Sequence, residues 1–125
     1  MNAKIYEEDL KKIIRLYGAE VLEVNGEVKL ERKTVQNDGY HQIKECVATL
    51  YEHIPLDGVN IKGEVTIYQK DIEEWIRKRF EGKGYAVDKV KLNYQFGDQR
   101  DPGYYYAEVE FKAKKRERGN IYGKE

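Results

Sequence analysis

Two histidines and one cysteine are the residues of this chain that could support nucleophilic or metal chemistry. His41, Cys46 and His53 fall in one segment whose apolar residues recur at helical spacing. On a helix, His41 and Cys46 would point about 140° apart, so they could not form the hydrogen-bonded pair of a cysteine nucleophile. Because Cys46 falls on the apolar stripe and no HExxH or CxxC spacing occurs, we predict no catalytic residue, no metal site and no cofactor.

A second group of residues could bind a ligand without chemistry, and it lies on two strands predicted at 85–96 and 104–113. Alternation along these strands places four aromatic side chains on one face: Tyr94, Phe96, Tyr105 and Phe111. The opposite face carries polar, aromatic and basic side chains: Lys91, Asn93, Tyr104, Tyr106 and Lys112. Aromatic rings interleaved with cations can stack a single-stranded base, or hold a nucleotide whose phosphate contacts Lys or Arg. The alternative is that this face forms a subunit interface.

The polar loop 97–103 joins these two strands and carries Arg100 close to two aspartates. Loops held between rigid strands often supply binding residues, although an ordinary solvated connection is the alternative. We therefore predict a ligand-binding set that combines the loop with the strand face: Arg100, Tyr104, Tyr106, Lys91, Asn93 and Lys112.

The elements that position this set are predicted from apolar periodicity and turn signals. Helices are expected at about 6–17, 40–54 and 69–81, and further strands at 20–24, 27–33, 59–61 and 64–67. Asn25 and Gly26 are expected to turn the first hairpin, with Gly26 in a left-handed bulge position. The order α-ββ-α-(β)-α-ββ predicts an α+β fold in which helices pack on one face of an antiparallel sheet.

One motif occurs twice, Ile-Tyr-x-x-Asp-[Leu/Ile]-x-x-[Ile/Trp]-Ile-Arg, at 5–15 and again at 67–77. Both copies continue through a glycine into an alternating apolar segment. We therefore predict a degenerate internal α-ββ repeat in a single domain over 1–113, with half-repeats at about 5–33 and 67–113 joined by helix 40–54. Residues 114–125 have too few apolar side chains to pack and are predicted to form a basic flexible tail.

Lys and Arg together number 23, as do Asp and Glu, so the formal net charge is zero. A zero balance argues against a nucleic-acid binder that relies on overall charge, and it removes the self-repulsion that opposes homo-oligomers. The chain has no apolar run long enough for a membrane span or a signal peptide, and its single cysteine cannot form an internal disulfide. We therefore expect a cytoplasmic protein that does not associate with membranes.

Three segments near the C-terminus carry a resemblance to a known group of proteins. They are an acidic helix at 71–76, a Lys-Gly-Tyr-x-Val sequence at 83–87 that leads into a strand, and an Ala-Glu-Val-Glu strand at 107–110. In this pattern the chain resembles small uncharacterised accessory proteins of phages and prophages of Gram-positive bacteria. The resemblance implies a phage accessory protein, for which blocking a host protein or sequestering a host signal nucleotide are common roles.

These observations together predict a non-enzymatic binding protein that forms a homo-oligomer and acts against host defence in the host cell cytoplasm. Its expected partner is a host protein or a small phosphorylated nucleotide. Two alternatives stay open. One is a protein that binds single-stranded nucleic acid through the aromatic and basic sheet face, and the other is a structural phage component.

Overall fold

Two α-helices and six strands are seen in a computed structural model, which describes residues 1–113. In chain order the elements are β1 (Asn2–Tyr6), α1 (Glu7–Tyr17), a π-helical turn (Gly18–Leu22), β2 (Glu27–Asn37), β3 (Gln42–Leu56), β4 (Val59–Ile67), α2 (Gln69–Gly82), β5 (Tyr85–Gln95) and β6 (Tyr104–Ala113). The predicted mixed α+β class is confirmed. Within this part of the chain, no helix is long and apolar enough to cross a membrane. The predicted tail 114–125 lies outside the described residues.

The strands form two antiparallel sheets, whereas the sequence predicts an antiparallel sheet and leaves open whether the two halves of the chain share it. Sheet A has the order β1-β6-β5, and sheet B has the order β2-β3-β4. Each half of the chain therefore contributes one edge strand to the sheet of the other half. β1 joins the two C-terminal strands, and β4 joins β2 and β3.

The centres of the two sheets have the same composition, since a buried alanine on the middle strand lies between a leucine and an isoleucine on the flanking strands. In sheet A these residues are Ala107, Leu92 and Ile5. In sheet B they are Ala48, Leu30 and Ile67. The small central side chains leave room for the helices, and a single cluster of buried residues joins both sheets to both helices through Leu10, Ile14, Ile72 and Ile76.

The predicted helix 40–54 is wrong, because this segment is the long middle strand β3. All five residues from Cys46 to Leu50 are buried, so that both faces of the strand are covered at its centre. A strand that is buried on both faces loses its two-residue alternation, and its apolar residues then mimic helical spacing. The strand turns into β4 at Asp57 and Gly58, which both have positive φ angles of 50° and 81°. This Asp-Gly pair is a strong hairpin signal, and the sequence interpretation missed it.

The predicted hairpin of 20–24 with 27–33 is also wrong. After α1 the chain continues into the π-helical turn, and β2 pairs with β3 instead. The left-handed residue is Glu23, with φ 58°, whereas Gly26 lies so close to the backbone of Tyr51 that no Cβ would fit. The glycine therefore permits a close approach of two strands and does not form the bulged turn that the sequence predicts.

The last helix and the β5–β6 connection agree with the sequence analysis. α2 spans Gln69–Gly82, and the loop at 97–103 joins β5 to β6 as expected. The predicted helix at 6–17 is α1, which follows directly after an unpredicted strand, β1, that pairs with β6. The observed order is thus β-α-β-β-β-α-β-β, and the predicted order is corrected at β1, at β3 and at the π-helical turn.

Candidate functional site

Four of the six predicted binding residues lie together on the outer face of sheet A. Asn93 on β5 is directly opposite Tyr106 on β6, and the ring centroids of Tyr104 and Tyr106 are 5.8 Å apart. Lys91 lies two residues before Asn93 and is opposite Glu108. The Asn93 side-chain Nδ2 donates a hydrogen bond to Glu108 Oε1 at 3.3 Å.

The other two predicted residues are not part of this group. Lys112 is opposite Ala86 near the far end of β6, about 20 Å along the strand from Tyr106. Arg100 lies in the loop, where its backbone N–H donates to Asp98 Oδ1 at 2.8 Å, as does the N–H of Asp101. These N–H groups of Asp101 and Arg100 lower the pKa of the Asp98 carboxyl from its ordinary value of 3.8. Among the described residues, the Arg100 guanidinium has no ion-pair partner.

The outer face of sheet A is electrically mixed. A concavity of about 300 Å³ on it is lined by Asn2, Lys89, Lys91, Asn93, Glu108, Val109 and Glu110. The lysines of the flanking strands are opposite carboxylates of the middle strand, since Lys4 and Lys91 both face Glu108. Lys4 also lies over Tyr106, with its Nζ 4.9 Å from the ring centroid. A polyanion would therefore meet carboxylates as well as lysines on this face, which weakens its binding.

A second concavity has a stronger positive charge, and we call it the inter-sheet cleft. It lies between β5 of sheet A and strands β2 and β3 of sheet B, beside the first residue of α2. Its volume is about 250 Å³, and its lining is Arg32, Lys44, Glu45, Cys46, Gln69, Lys91, Leu92, Asn93 and Tyr94. The lining thus includes three cations and one carboxylate. It shares Lys91 and Asn93 with the predicted binding set.

Arg32 is held in the cleft by aromatic rings of sheet A. Its guanidinium carbon lies 4.9 Å from the centroid of Phe96 and 5.7 Å from that of Tyr94. Tyr94 in turn packs on Tyr105, with centroids 4.7 Å apart. Stacking uses the face of a guanidinium and leaves its N–H donors free in the plane. Phe96 is 66% exposed, so its ring leaves apolar surface open beside the Arg32 guanidinium.

The wall of the cleft is fixed by the side chain of Gln69. Its Oε1 accepts a hydrogen bond from the backbone N–H of Cys46 at 3.0 Å, and its Nε2 donates to Glu73 Oε2 at 3.0 Å and to the Leu92 carbonyl at 3.4 Å. Glu73 Oε2 also accepts from the Leu92 N–H at 2.8 Å. Gln69 and Glu73 therefore connect sheet B to the edge of sheet A, which gives the cleft rigid backbone walls.

Cys46 is a buried thiol and not a reactive one. The residue is 3% exposed, and burial raises the pKa of its thiol from 9.0 to about 11. A thiol with this pKa is almost entirely protonated at neutral pH, whereas the nucleophile is the thiolate. His41, which directly precedes β3, and His53, near the other end of β3, are both exposed and are separated along the chain from Cys46. Residues 1–113 contain no group of three or more His, Cys, Asp or Glu side chains arranged to hold a metal ion.

Arg32 and Lys44 are the cleft residues that the sequence analysis missed. Lys44 was missed because a helix was predicted there, and Arg32 because its contacts with Phe96 and Tyr94 join two different sheets. Reading Asp57-Gly58 as a hairpin turn would have predicted that the preceding segment is a strand, β3. Lys44 lies on this strand, opposite Thr34 of β2. No sequence signal in this chain predicts that β2 and β5 meet.

Comparisons of the chain with protein-family models, with curated proteins and with solved structures gave no match.

Proposed function

We propose that the protein is a non-enzymatic binding protein that holds a small phosphorylated nucleotide in the inter-sheet cleft. The observation that carries this proposal is that three cationic residues, Arg32, Lys44 and Lys91, line one cleft. None of the three has an ion-pair partner among the residues that the structure describes. Three cations line the cleft beside one carboxylate, Glu45, and this excess of positive charge raises the local potential and favours an anionic ligand.

In the proposed complex, the phosphate of the ligand binds in the cleft and its base lies at the mouth of the cleft. The stacked guanidinium of Arg32 presents in-plane N–H groups to a phosphate, and Lys44 and Lys91 add point charges. The exposed ring of Phe96 is placed to stack on the base. No nucleophile is needed, because affinity comes from charge-assisted hydrogen bonds and stacking alone.

The biological setting of this proposal comes from the resemblance to phage accessory proteins. We propose an anti-defence role in the host cell cytoplasm, in which the protein sequesters a signal nucleotide. Blocking a host protein is the other form of the same role. It would use the mixed outer face of sheet A, where Tyr104 and Tyr106 present aromatic rings beside alternating charges.

We further propose that the two halves are copies of one β-α-β-β unit. Supporting this, the repeated Ile-Tyr motif spans the passage from β1 into α1 and from β4 into α2. Leu30 on β2 and Leu92 on β5 occupy equivalent positions, because each is opposite the central alanine of its sheet. Arg32 and Tyr94 lie two residues further along these strands and are equivalent in the same way. The halves thus match in the core and differ where they meet at the cleft, as expected if the cleft acquired a binding function.

The proposal is tested with the full chain, first by native mass spectrometry after purification from cells and then by isothermal titration with ADP and with inorganic pyrophosphate. Lys44→Ala and Lys91→Ala are each expected to weaken binding about tenfold or more, because each removes a charged hydrogen-bond donor. Lys29→Ala is the matched control, since Lys29 is exposed and outside the cleft lining. Absence of a copurified mass, together with no binding of either probe, would contradict the proposal.

Binding of single-stranded nucleic acid is the alternative, and the neighbouring rings of Tyr104 and Tyr106 beside Lys4 favour it. It predicts binding of an oligonucleotide that falls steeply with salt, is lost in Tyr106→Ala and is unchanged in Lys44→Ala. A structural phage component predicts a defined oligomer that binds neither ADP nor an oligonucleotide.

A further inference from the structure

Strand β4 forms an open edge of sheet B. It pairs with β3 on one side, in a regular register without a bulge from Val59 to Ile67. On its other side it has no strand partner among residues 1–113, and β3 is the only described element with more than marginal contact to it. An edge of this length presents unpaired backbone N–H and C=O groups, which are a template for another strand.

The sequence of β4 is self-complementary about its central residue, Gly63. Moving outward from Gly63, a lysine matches a glutamate, an isoleucine a valine, an asparagine a threonine, and a valine an isoleucine. If two copies of β4 run antiparallel with Gly63 facing Gly63, Lys62 of each copy lies opposite Glu64 of the other. Opposite charges at directly facing positions stabilise a strand pair, whereas like charges destabilise it.

The apolar residues of the same hairpin are exposed without a partner. Ile54 is opposite Ile61 and Leu56 is opposite Val59, and these four side chains are 43%, 42%, 55% and 60% exposed in that order. They continue the core-facing row of Leu50 and Val65 beyond the core. In the antiparallel arrangement, Ile61 lies opposite Val65 of the second copy and Val59 opposite its Ile67. The exposed tip of the β3–β4 hairpin in each copy would therefore lie beside the buried end of β4, at Ile67, in the other copy.

We propose that a second copy of this chain pairs through β4, which joins the two copies of sheet B into one continuous sheet with a two-fold axis at Gly63. The interface is isologous, so every cross-strand pair occurs twice. Lys62 lies on the outer face of sheet B, where its Nζ is 4.1 Å from the ring centroid of Tyr51 on β3. The proposal names the surface of the predicted homo-oligomer and does not require a ligand in the cleft, because Arg32 and Lys44 belong to β2 and β3.

The test is the dissociation constant of the full-length dimer, measured by sedimentation over a range of concentrations. Lys62→Glu and Glu64→Lys each create two pairs of like charges and are expected to raise the dissociation constant about tenfold or more. The double variant Lys62→Glu/Glu64→Lys restores opposite charges and is expected to return to within a few-fold of the original. An equimolar mixture of the two single variants should likewise form a heterodimer, since each variant chain complements the other.

Lys29→Glu is the control, because Lys29 is an exposed residue on β2, at the opposite edge of sheet B. A monomer at all concentrations, or a dimer that the single charge reversals leave unchanged, would overturn the proposal. ADP titration of the same variants separates the two proposals, since loss of the dimer with retained ADP binding concerns only the β4 interface.

Discussion

Glu7 and Gln69 occupy the same place in the two sheets. Each is the first residue of a helix that directly follows an edge strand. Glu7 Oε1 accepts a hydrogen bond from the backbone N–H of Tyr105 at 3.0 Å, and Gln69 Oε1 accepts one from the N–H of Cys46 at 3.0 Å. In both sheets this N–H belongs to the residue that the capping position itself would face if the strand register continued, since Glu7 would face Tyr105 and Gln69 would face Cys46. The side chain therefore satisfies the donor where the chain leaves the sheet to begin a helix.

Replacing Gln69 is expected to destabilise the protein. Gln69→Ala leaves the N–H of Cys46 without its acceptor beside a buried thiol and removes the donors to Glu73 and Leu92. A buried group that loses its partner costs about 1–3 kcal/mol, so the free energy of unfolding should fall by about that amount. Urea denaturation followed by circular dichroism measures it.

Two variants control this measurement. Lys70→Ala changes an exposed neighbour and should leave the free energy of unfolding within about 0.5 kcal/mol of the original. Gln69→Glu keeps an acceptor for the N–H of Cys46 but places a second carboxylate beside Glu73. It should therefore be destabilised at neutral pH. Full stability of Gln69→Ala would show that the connection between the sheets does not depend on this side chain.

The extent to which the sequence predicted this structure depends on how each strand is buried. β5 and β6 alternate cleanly, because one face is core and the other is open, and so the face that Asn93 shares with Tyr106 could be predicted. β3 could not be recognised from periodicity, because its centre is covered on both faces. The candidate site was predicted in part for the same reason. Lys91 lies on a strand with one open face, whereas Lys44 lies on β3 and the contact of Arg32 with Phe96 joins two sheets.

Because the thiol of Cys46 is buried, we predict that the free energy of unfolding falls as pH rises above about 9. The pKa of this thiol is 9.0 ordinarily and about 11 in the folded protein, because burial disfavours the thiolate. Between these values the unfolded chain loses the proton while the folded chain keeps it, so rising pH favours the unfolded state. The free energy of unfolding should fall by roughly 2–3 kcal/mol over this window from Cys46 alone. Tyr105 adds to the loss at higher pH, since burial raises its pKa to about 12.

The contribution of Cys46 is isolated by a comparison with Cys46→Ala. Urea denaturation at several values between pH 8 and 11 should show a shallower decline in the variant, because it has no thiol to ionise. As a second measurement, a thiol reagent at pH 8 should label native Cys46 slowly and urea-unfolded chain rapidly, since the residue is 3% exposed. Equal slopes in the two proteins, or fast labelling of the native form, would contradict the burial of the thiol.

We predict that the loop carrying Arg100 opens more often when the Asp98 carboxyl is removed. This carboxyl accepts the N–H groups of Arg100 and Asp101 at 2.8 Å each, and the Asp98 N–H donates to the Asp101 carbonyl at 2.8 Å. Asp98→Ala removes both side-chain bonds from an exposed loop, so the loop should open more often while the global free energy of unfolding changes little. Trypsin cleavage after Arg100, followed by mass spectrometry, is expected to become several-fold faster.

Asp38→Ala is the matched control for this cleavage, because the Asp38 carboxyl accepts the N–H groups of Tyr40 and His41 in a different turn. It should leave the rate after Arg100 unchanged. The same bonds fix the sign of the pH dependence: they lower the pKa of Asp98 below 3.8, so the loop keeps its order above that value and loses it as pH falls through the lowered pKa. The midpoint of the pH-dependent shift of the Arg100 and Asp101 amide resonances should therefore lie below pH 3.8. A midpoint above pH 3.8 would show that the carboxyl does not accept these hydrogen bonds.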